Sequence, residues 1–595
     1  MSPFVFDWVF DHAATNPEAP AVGTPDRWID YGELASWVHA LAADLLGRGV
    51  GPGSFVVFAL PPGPAAVAAV LAVQALGGCA VELNRELDER SIASILAQTG
   101  ARHAFIHGRD TAKWAGLVRA SEAAPRSGAG LAARAGAADA TSLEAENVER
   151  PSHLAELHVV FSTHPPPRME QLLEGISWTW VSEAPPAEGA LAAMSGRGAS
   201  ATAPAAEEAG SRKDPARTLR FPQLPVDPAA PALLVFTSGS TGEPRGVIQT
   251  HANIHANTTA ISAYLELSPA DRALSTLPLF YCYGRSILQT HLLVGGSVFF
   301  DHRFMYPRVV MEALGEQRCT GFYGVPLTFE LLRRQVDIRS LSLSTLRYVA
   351  QAGGAMHPDT IRWCRDVFAP AQLFVMYGQT EATARLSYLP PDRAAEKEGS
   401  IGKGLANVEL RVVDPQGREM APGEVGELIA RGPSISPGYF HAPDESAAVF
   451  RDGWLWTGDL GRRDEEGFVF LVGRSKDMLK LGGHRVSAAE IEQALAEHAG
   501  VEEAAVVGVP DAAGGEAAIA FVIAAGGGTL DPAELRRFCR QRLPAFKVPR
   551  EIRFVGALPR TASGKLAKAE LRKGLIDDDS FLEGRSLAGP GAEGG

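Results

Sequence analysis

An unbroken alternation of helix-like and strand-like segments between Tyr31 and Ala104 restricts this 595-residue chain most. Leu34, Trp37, Val38, Leu41 and Leu45 recur at the spacing of one helical face, which predicts a helix over Tyr31–Leu46, broken by Gly49 and Gly51. Ser54–Leu60 then reads as a short buried strand, a second helix runs through Gln74, and Ala80–Leu83 reads as another strand. Glu89–Thr99 is a third helix ahead of a strand at His103–Ile106. The stretch Ala65–Val81 is apolar almost throughout, but it is short, carries Gln74 and is interrupted by Gly77-Gly78. It fits a buried helix running into a strand rather than a membrane span. The succession implies an α/β sheet layered by helices.

A chain of this length is expected to hold more than one domain. A second, self-contained alternation follows a change of character near Arg474–Asp477: helix Ala488–His498, strands Ala504–Val509 and Ala517–Ile523, helix Pro532–Leu543 and strand Glu551–Phe554. A last helix begins near Leu566 and stops at Gly574. These signals divide the chain into residues 1–474, residues 475–575 and a polar, glycine-rich tail at 576–595. Between Gly108 and Val226 the pattern weakens. Residues 183–215 are crowded with Ala, Pro, Gly, Glu and Ser, which predicts a mobile surface insertion, with an alanine-rich helix as the alternative.

A hydrophobic fraction of 46% and a charged fraction of 21% are those of an ordinary globular protein. The formal net charge of −13 gives no general attraction to nucleic acid or anionic lipid, so neither is expected as a partner. Cys79, Cys282, Cys319, Cys364 and Cys539 are scattered and form no Cys-x-x-Cys pair, which favours buried thiols in a reducing cytoplasm over disulfides or zinc. Met1–Phe10 lacks the pattern of a signal peptide.

The chemistry is concentrated in short segments. The strand-like run Leu233–Phe236 leads directly into Thr237-Ser238-Gly239-Ser240-Thr241-Gly242-Glu243-Pro244-Arg245-Gly246. Hydroxyls, glycines and a permanent cation suit a polyphosphate, although a plain Ser/Gly surface loop shares some of these features. The loop is neither a Walker loop nor a dinucleotide fingerprint. Tyr377-Gly378-Gln379-Thr380-Glu381 follows the strand Leu373–Met376, putting an aromatic face and a flexible backbone at the carboxyl end of a sheet. There Glu381 can bind Mg²⁺ and Thr380 can donate to an oxygen; a capping threonine and a surface glutamate would look the same. Read alone, Gly353-Gly354-Ala355 and Thr457-Gly458-Asp459 are turns, residues 473–486 are a turn and hairpin, and Lys565 is a solvated lysine.

Taken together, from Trp28 to about Lys573 and excluding the loose insertion, these segments resemble the adenylate-forming superfamily of acyl- and aryl-CoA synthetases, nonribosomal-peptide adenylation domains and luciferases. The acyl- or aryl-CoA ligase branch is the nearest. The resemblance implies a large N-terminal α/β domain with layered sheets and a β-barrel-like subdomain, hinged to a small α+β C-terminal domain. It implies ATP-dependent formation of an acyl-adenylate and pyrophosphate, then transfer to the thiol of CoA, with Mg²⁺ required. A separate acyl carrier protein is the alternative acceptor, and a catalytically silent nucleotide-binding relative is the alternative of another class. By this resemblance Thr237, Ser238, Gly239, Ser240, Thr241 and Gly242 grip the phosphates, and Arg245 stands where the family usually has lysine. Thr380 and Glu381 act beside Tyr377 and Gly378, with Glu381 supporting the metal. Gly354 and Ala355 line the adenine pocket, Asp459 binds the ribose hydroxyls, and Arg474 contacts ribose or phosphate. Lys476 is the hinge, Gly483 borders the pantetheine path, and Lys565 reaches the reacting centre from the small domain.

The acid is less legible. Pro278–Gly284, with Tyr281 and Gly284, and Gly321–Pro326, with Tyr323 and Gly324, resemble pocket walls of an apolar or aromatic kind. Tyr281 stands after Phe280 where amino-acid-activating relatives carry aspartate, which disfavours an α-amino acid. A medium- or long-chain fatty acid is the leading expectation, and an aryl acid the second.

Overall fold

The computed structural model describes residues 2–123, 156–161, 173, 176–182, 226–238, 244–475, 478–481, 484–511, 516–527, 530–560 and 566–577. The expected insertion at 183–215 and the tail beyond Asp577 lie outside the described residues.

The apolar stretch near residue 70 explains the layering. It forms the helix Pro64–Ala75, in which 11 of 12 residues are buried. A helix with no polar face needs cover on all sides. Here it shares one core with the helices Val5–Thr15, Tyr31–Gly47, His251–Tyr264 and Cys282–Val294, and with residues from two separate sheets. The first of these sheets has seven strands in the order Trp178–Ser182, Glu156–Phe161, His103–His107, Phe55–Ala59, Cys79–Glu82, Pro231–Ser238 and Pro244–Thr250. All its pairings are parallel except the last hairpin. Alternation assigns its faces: Val56 and Phe58 enter the shared core, while Val57 and Ala59 enter an outer core with Ile92, Ile95 and Trp114. Glu156–Phe161 and Trp178–Ser182 extend this sheet through a region where the sequence pattern is weak, and Thr111–Ala123 is helical.

The second sheet is 14-stranded. Its centre is parallel, with Gln372–Tyr377, Tyr348–Gln351, Gly321–Gly324, Arg272–Ser275 and Ser297–Phe300 as successive neighbours. Its outer face packs on the helices Pro307–Glu316, Pro326–Gln335 and Pro358–Val367. Beyond Gln372–Tyr377 it turns antiparallel through Ser387–Leu389 and Ser400–Gly404 and on to Glu409–Val413. Ile401, Val412, Leu428 and Val469 of this antiparallel part share a small core of their own. Past Arg474, the hairpin Met478–Leu481/His484–Ser487 and the three strands Val501–Pro510, Glu516–Ala524 and Glu551–Phe554 enclose a separate core with Ile491, Leu495, Leu535 and Cys539. This is the small α+β unit. Among the described residues no helix is long and apolar enough to cross a membrane.

Candidate active site

Four neighbouring parallel strands end together. Ser275, Gly324, Gln351 and Tyr377 are the last residues of Arg272–Ser275, Gly321–Gly324, Tyr348–Gln351 and Gln372–Tyr377. The segments that follow them, Pro278–Gly284, Gly353–Ala355 and Gly378–Glu381, therefore converge on one carboxyl edge, where open α/β sheets bind ligands. Close backbone approach makes Gly378 necessary: a Cβ there would overlap the carbonyl oxygen of Ala384 as the loop folds back. Gly353 has φ +88°, and a Cβ on it would lie 2.6 Å from the Tyr281 hydroxyl. Tyr281 thus stands directly over this turn, while Gly354 and Ala355 are exposed beside it.

On one side of the edge is a closed polar network. Asp459 is 4% exposed, and its carboxylate accepts hydrogen bonds from the Tyr377 hydroxyl at 2.5 Å and from Arg474 Nε at 2.8 Å. Its backbone N–H donates to Thr457 Oγ1 at 3.1 Å. Asp459 and Arg474 face each other across paired antiparallel strands, so register as well as charge fixes the pair. Burial, with the Asp459 carboxylate adding to it, holds the Tyr377 phenol well above its ordinary pKa and keeps it a donor. A carboxylate so held retains lone pairs for two further donors, which fits a ribose diol.

Beside this network lies a second array. The Tyr439 hydroxyl donates to Glu381 Oε1 at 2.9 Å, and the Arg245 guanidinium lies 5.5 Å from the centre of the Tyr439 ring. Ser436 N–H donates to the Glu381 carbonyl at 2.8 Å, and Gln249 Nε2 donates to the carbonyls of Thr380 and Thr383 at 3.3 and 2.9 Å. The strand Pro244–Thr250 therefore joins Arg245 to the loop carrying Thr380 and Glu381. The structure places Tyr439 between cation and carboxylate.

The other side of the edge is aromatic. Tyr281, Tyr283 and Tyr323 form a chain of edge-on rings, with centroids 6.2 Å apart for the first pair and 6.3 Å for the second. Tyr283 donates to the Ala350 carbonyl at 2.9 Å, and Tyr323 shares a hydrogen bond with Tyr348 at 2.9 Å. Gly284 has no room for a Cβ against the Pro278 carbonyl, and Gly324 would crowd Thr328 and Phe329. Thr380 Oγ1 lies 3.5 Å from Cys282 Sγ, which ties this wall to the Thr380 loop. Arg385, 2% exposed, carries its guanidinium 4.8 Å above the Tyr283 ring. Sequence reasoning misses Arg385, because a lone arginine among alanines and threonines carries no motif.

Thr237 and Arg245 are register partners in the hairpin Pro231–Ser238/Pro244–Thr250, which also carries Ser238. Gly239, Ser240, Thr241 and Gly242 lie outside the described residues, as do Lys476, Gly483 and Lys565. Arg560 and Leu566, on either side of the segment containing Lys565, form a bridge, and Arg560 pairs with Glu503 at 2.6 Å.

Residues 9–440 match the family described as AMP-binding enzyme, and residues 490–565 match the one described as AMP-binding enzyme C-terminal domain. The chain is 36% identical over 353 residues to feruloyl-CoA synthase of an Amycolatopsis species, covering 59% of this chain and 71% of that one. It is 30% identical over 578 residues to indoleacetate–CoA ligase of Aromatoleum aromaticum, covering 97% and 99%. Among solved structures it is similar to the o-succinylbenzoate CoA synthetase of Bacillus subtilis in complex with an acyl-adenylate intermediate, with a TM-score of 0.72, 25% identity and coverage of 96% and 98%.

Proposed function

The chain belongs to the AMP-binding enzyme family, and on that premise we propose that it activates an aromatic carboxylic acid and delivers it to CoA. It is an AMP-forming acid–thiol ligase of the acyl-CoA synthetase superfamily. One observation carries the proposal: the closed Tyr377–Asp459–Arg474 network and the Tyr281–Tyr283–Tyr323 wall meet at a single sheet edge, with Thr380 and Glu381 between them. A nucleoside held by Asp459 would present its α-phosphate to an acid lying against the tyrosines.

The aryl reading displaces the fatty-acid expectation. The feruloyl, indoleacetyl and succinylbenzoyl groups named for the relatives each contain an aromatic ring. A wall of three tyrosines beside a buried guanidinium also suits a flat ring with polar substituents better than a long alkyl chain.

In this reading Gly354 and Ala355 flank adenine, Asp459 takes the ribose diol, and Arg474 steadies Asp459. Arg245 and residues 237–242 take the phosphates. Glu381 would hold Mg²⁺; one of its oxygens takes a single hydrogen bond from Tyr439, and a carboxylate has further lone pairs for a hard cation. The metal supplies neutralisation of phosphate charge. The reading takes residues 1–474 and 475–575 as large and small domains hinged at Lys476. It gives Lys565 the stabilisation of charge as carboxylate attacks phosphate, and gives Gly483 a place beside the thiol's path. The five buried free thiols fit a reducing, cytoplasmic setting.

The test is mass spectrometry of reactions containing Mg-ATP, CoA and ferulate, indoleacetate, phenylacetate or octanoate. The proposal expects aryl-CoA and AMP. Octanoyl-CoA as the dominant product would return the fatty-acid reading, and an adenylate that transfers only to an added carrier protein would replace CoA as acceptor.

A further inference from the structure

We propose that Arg385 binds a second anionic group, a carboxylate, on the acid being activated, so that the preferred substrate is a dicarboxylate. The inference rests on the reading above for where the acid lies.

Two buried guanidiniums make the case by contrast. Arg285 is buried against Glu82, with Nε 2.8 Å from Oε2 and Nη2 on Oε1, so its charge is fully matched. Arg385 is equally buried, yet among the described residues no carboxylate pairs with it. Its Nε has no hydrogen-bond partner; the side chain hydrogen-bonds that of Tyr264, and Tyr283 and Cys282 are its other polar neighbours. The Tyr283 ring face compensates only partly. Withdrawing a guanidinium from water without a counter-charge is strongly unfavourable, and its planar fork matches a carboxylate in two parallel hydrogen bonds.

The position suits a distal anchor. Arg385 is clamped to the helix His251–Tyr264 by its own N–H on Asn257 Oδ1 at 3.1 Å and by Asn257 Nδ2 on its carbonyl at 2.8 Å. The consecutive residues Tyr281, Cys282 and Tyr283 link the two ends of the site, because Cys282 touches Thr380 and Tyr283 lies under Arg385. An acid along this wall places its reacting carboxylate at Thr380 and a second one at Arg385. Gln379 Nε2, also buried and without a partner, lies on the same loop.

The experiment measures acid-dependent pyrophosphate release for three matched pairs: 2-succinylbenzoate and 4-oxo-4-phenylbutanoate, 4-carboxyphenylacetate and phenylacetate, and suberate and octanoate. Wild type and Arg385→Met, Arg385→Lys variants are compared. The wild type should prefer the dianion of at least one pair by about 10²-fold in kcat/KM, as expected when a buried polar group loses its partner. Arg385→Met should erase that preference by lowering the dianion's kcat/KM about 10²-fold more than the monoanion's, and Arg385→Lys should restore part of it. No dianion preference in the wild type on any frame overturns the proposal, whether or not the variants fold. So does an equal loss for both members of a pair in Arg385→Met. A preference confined to the suberate pair keeps Arg385 as the anchor and removes the aryl reading, whereas aryl activation indifferent to the second carboxylate does the reverse.

Discussion

The two sides of the sheet edge solve the same problem in opposite ways. On the side proposed for the nucleoside the buried carboxylate of Asp459 is already held by Tyr377 and Arg474. On the acid side the buried cation of Arg385 has rings, hydroxyls and a thiol around it but no carboxylate among the described residues. In the proposed reading ATP, the ligand common to the family, would meet a completed network, and the acid, which differs between members, would meet a charge whose partner it brings.

This contrast is sharpest in stability. Glu82→Gln strips Arg285 of its counter-charge in the core and should cost about 3–5 kcal/mol, lowering the urea midpoint. Arg385→Met removes a cation that no carboxylate among the described residues pairs with, and should lower the midpoint far less than Glu82→Gln does. Similar losses in both variants would erase the distinction between the two arginines.

Next in size is the effect of the nucleoside network on catalysis. Asp459→Ala should lower kcat/KM for ATP by about 10²–10³-fold, since Tyr377 and Arg474 lose their shared acceptor along with the ribose contact. Steady-state kinetics should give the same factor with every acid, in contrast to the acid-selective loss in Arg385→Met. A loss that varied with the acid would mean that the two halves are coupled.

A further contrast is in pH dependence. The helices framing the acid side carry His251 and His291, each lowered by burial from 6.5 to about 4. The folded values lie below the unfolded ones, so their contribution to stability is complete above about pH 6.5 and is lost as pH falls toward about 4. Each imidazole then costs about 1.4 kcal/mol per pH unit within that window. The melting midpoint should fall from pH 7 to pH 5, and His251→Phe should flatten part of the slope. An unchanged slope in that variant would remove His251 from the account.

The residues proposed to bind nucleotide stand out in the sequence because they lie in contiguous strings at strand ends, Tyr377 to Glu381 and Thr457 to Asp459. Their pairing does not, since Tyr377 and Asp459 are 82 residues apart and meet only through the turn from parallel to antiparallel strands. The alternation from Tyr31 to Ala104 gave every helix and strand there to within a few residues, because apolar spacing and glycine stops agree. Glu156–Phe161 and Trp178–Ser182 escaped notice because weakly patterned sequence surrounds them, and only pairing with His103–His107 and with each other reveals them as strands. Arg385 was invisible for a different reason. Its meaning lies in the groups missing around it, and that neighbourhood is assembled from helices more than 90 residues earlier in the chain.

The central claim is that this edge joins an aromatic acid to the α-phosphate of ATP before any thiol takes part. ATP–pyrophosphate exchange without CoA tests it directly, using labelled pyrophosphate, Mg-ATP and the mono- and dicarboxylic aryl acids named above. The account predicts exchange that depends on an aryl acid, proceeds without CoA and falls by about 10²–10³-fold in Asp459→Ala. If no aryl acid supports exchange while ATP is turned over to ADP and phosphate, or if exchange appears only with alkyl monoacids, the account is contradicted.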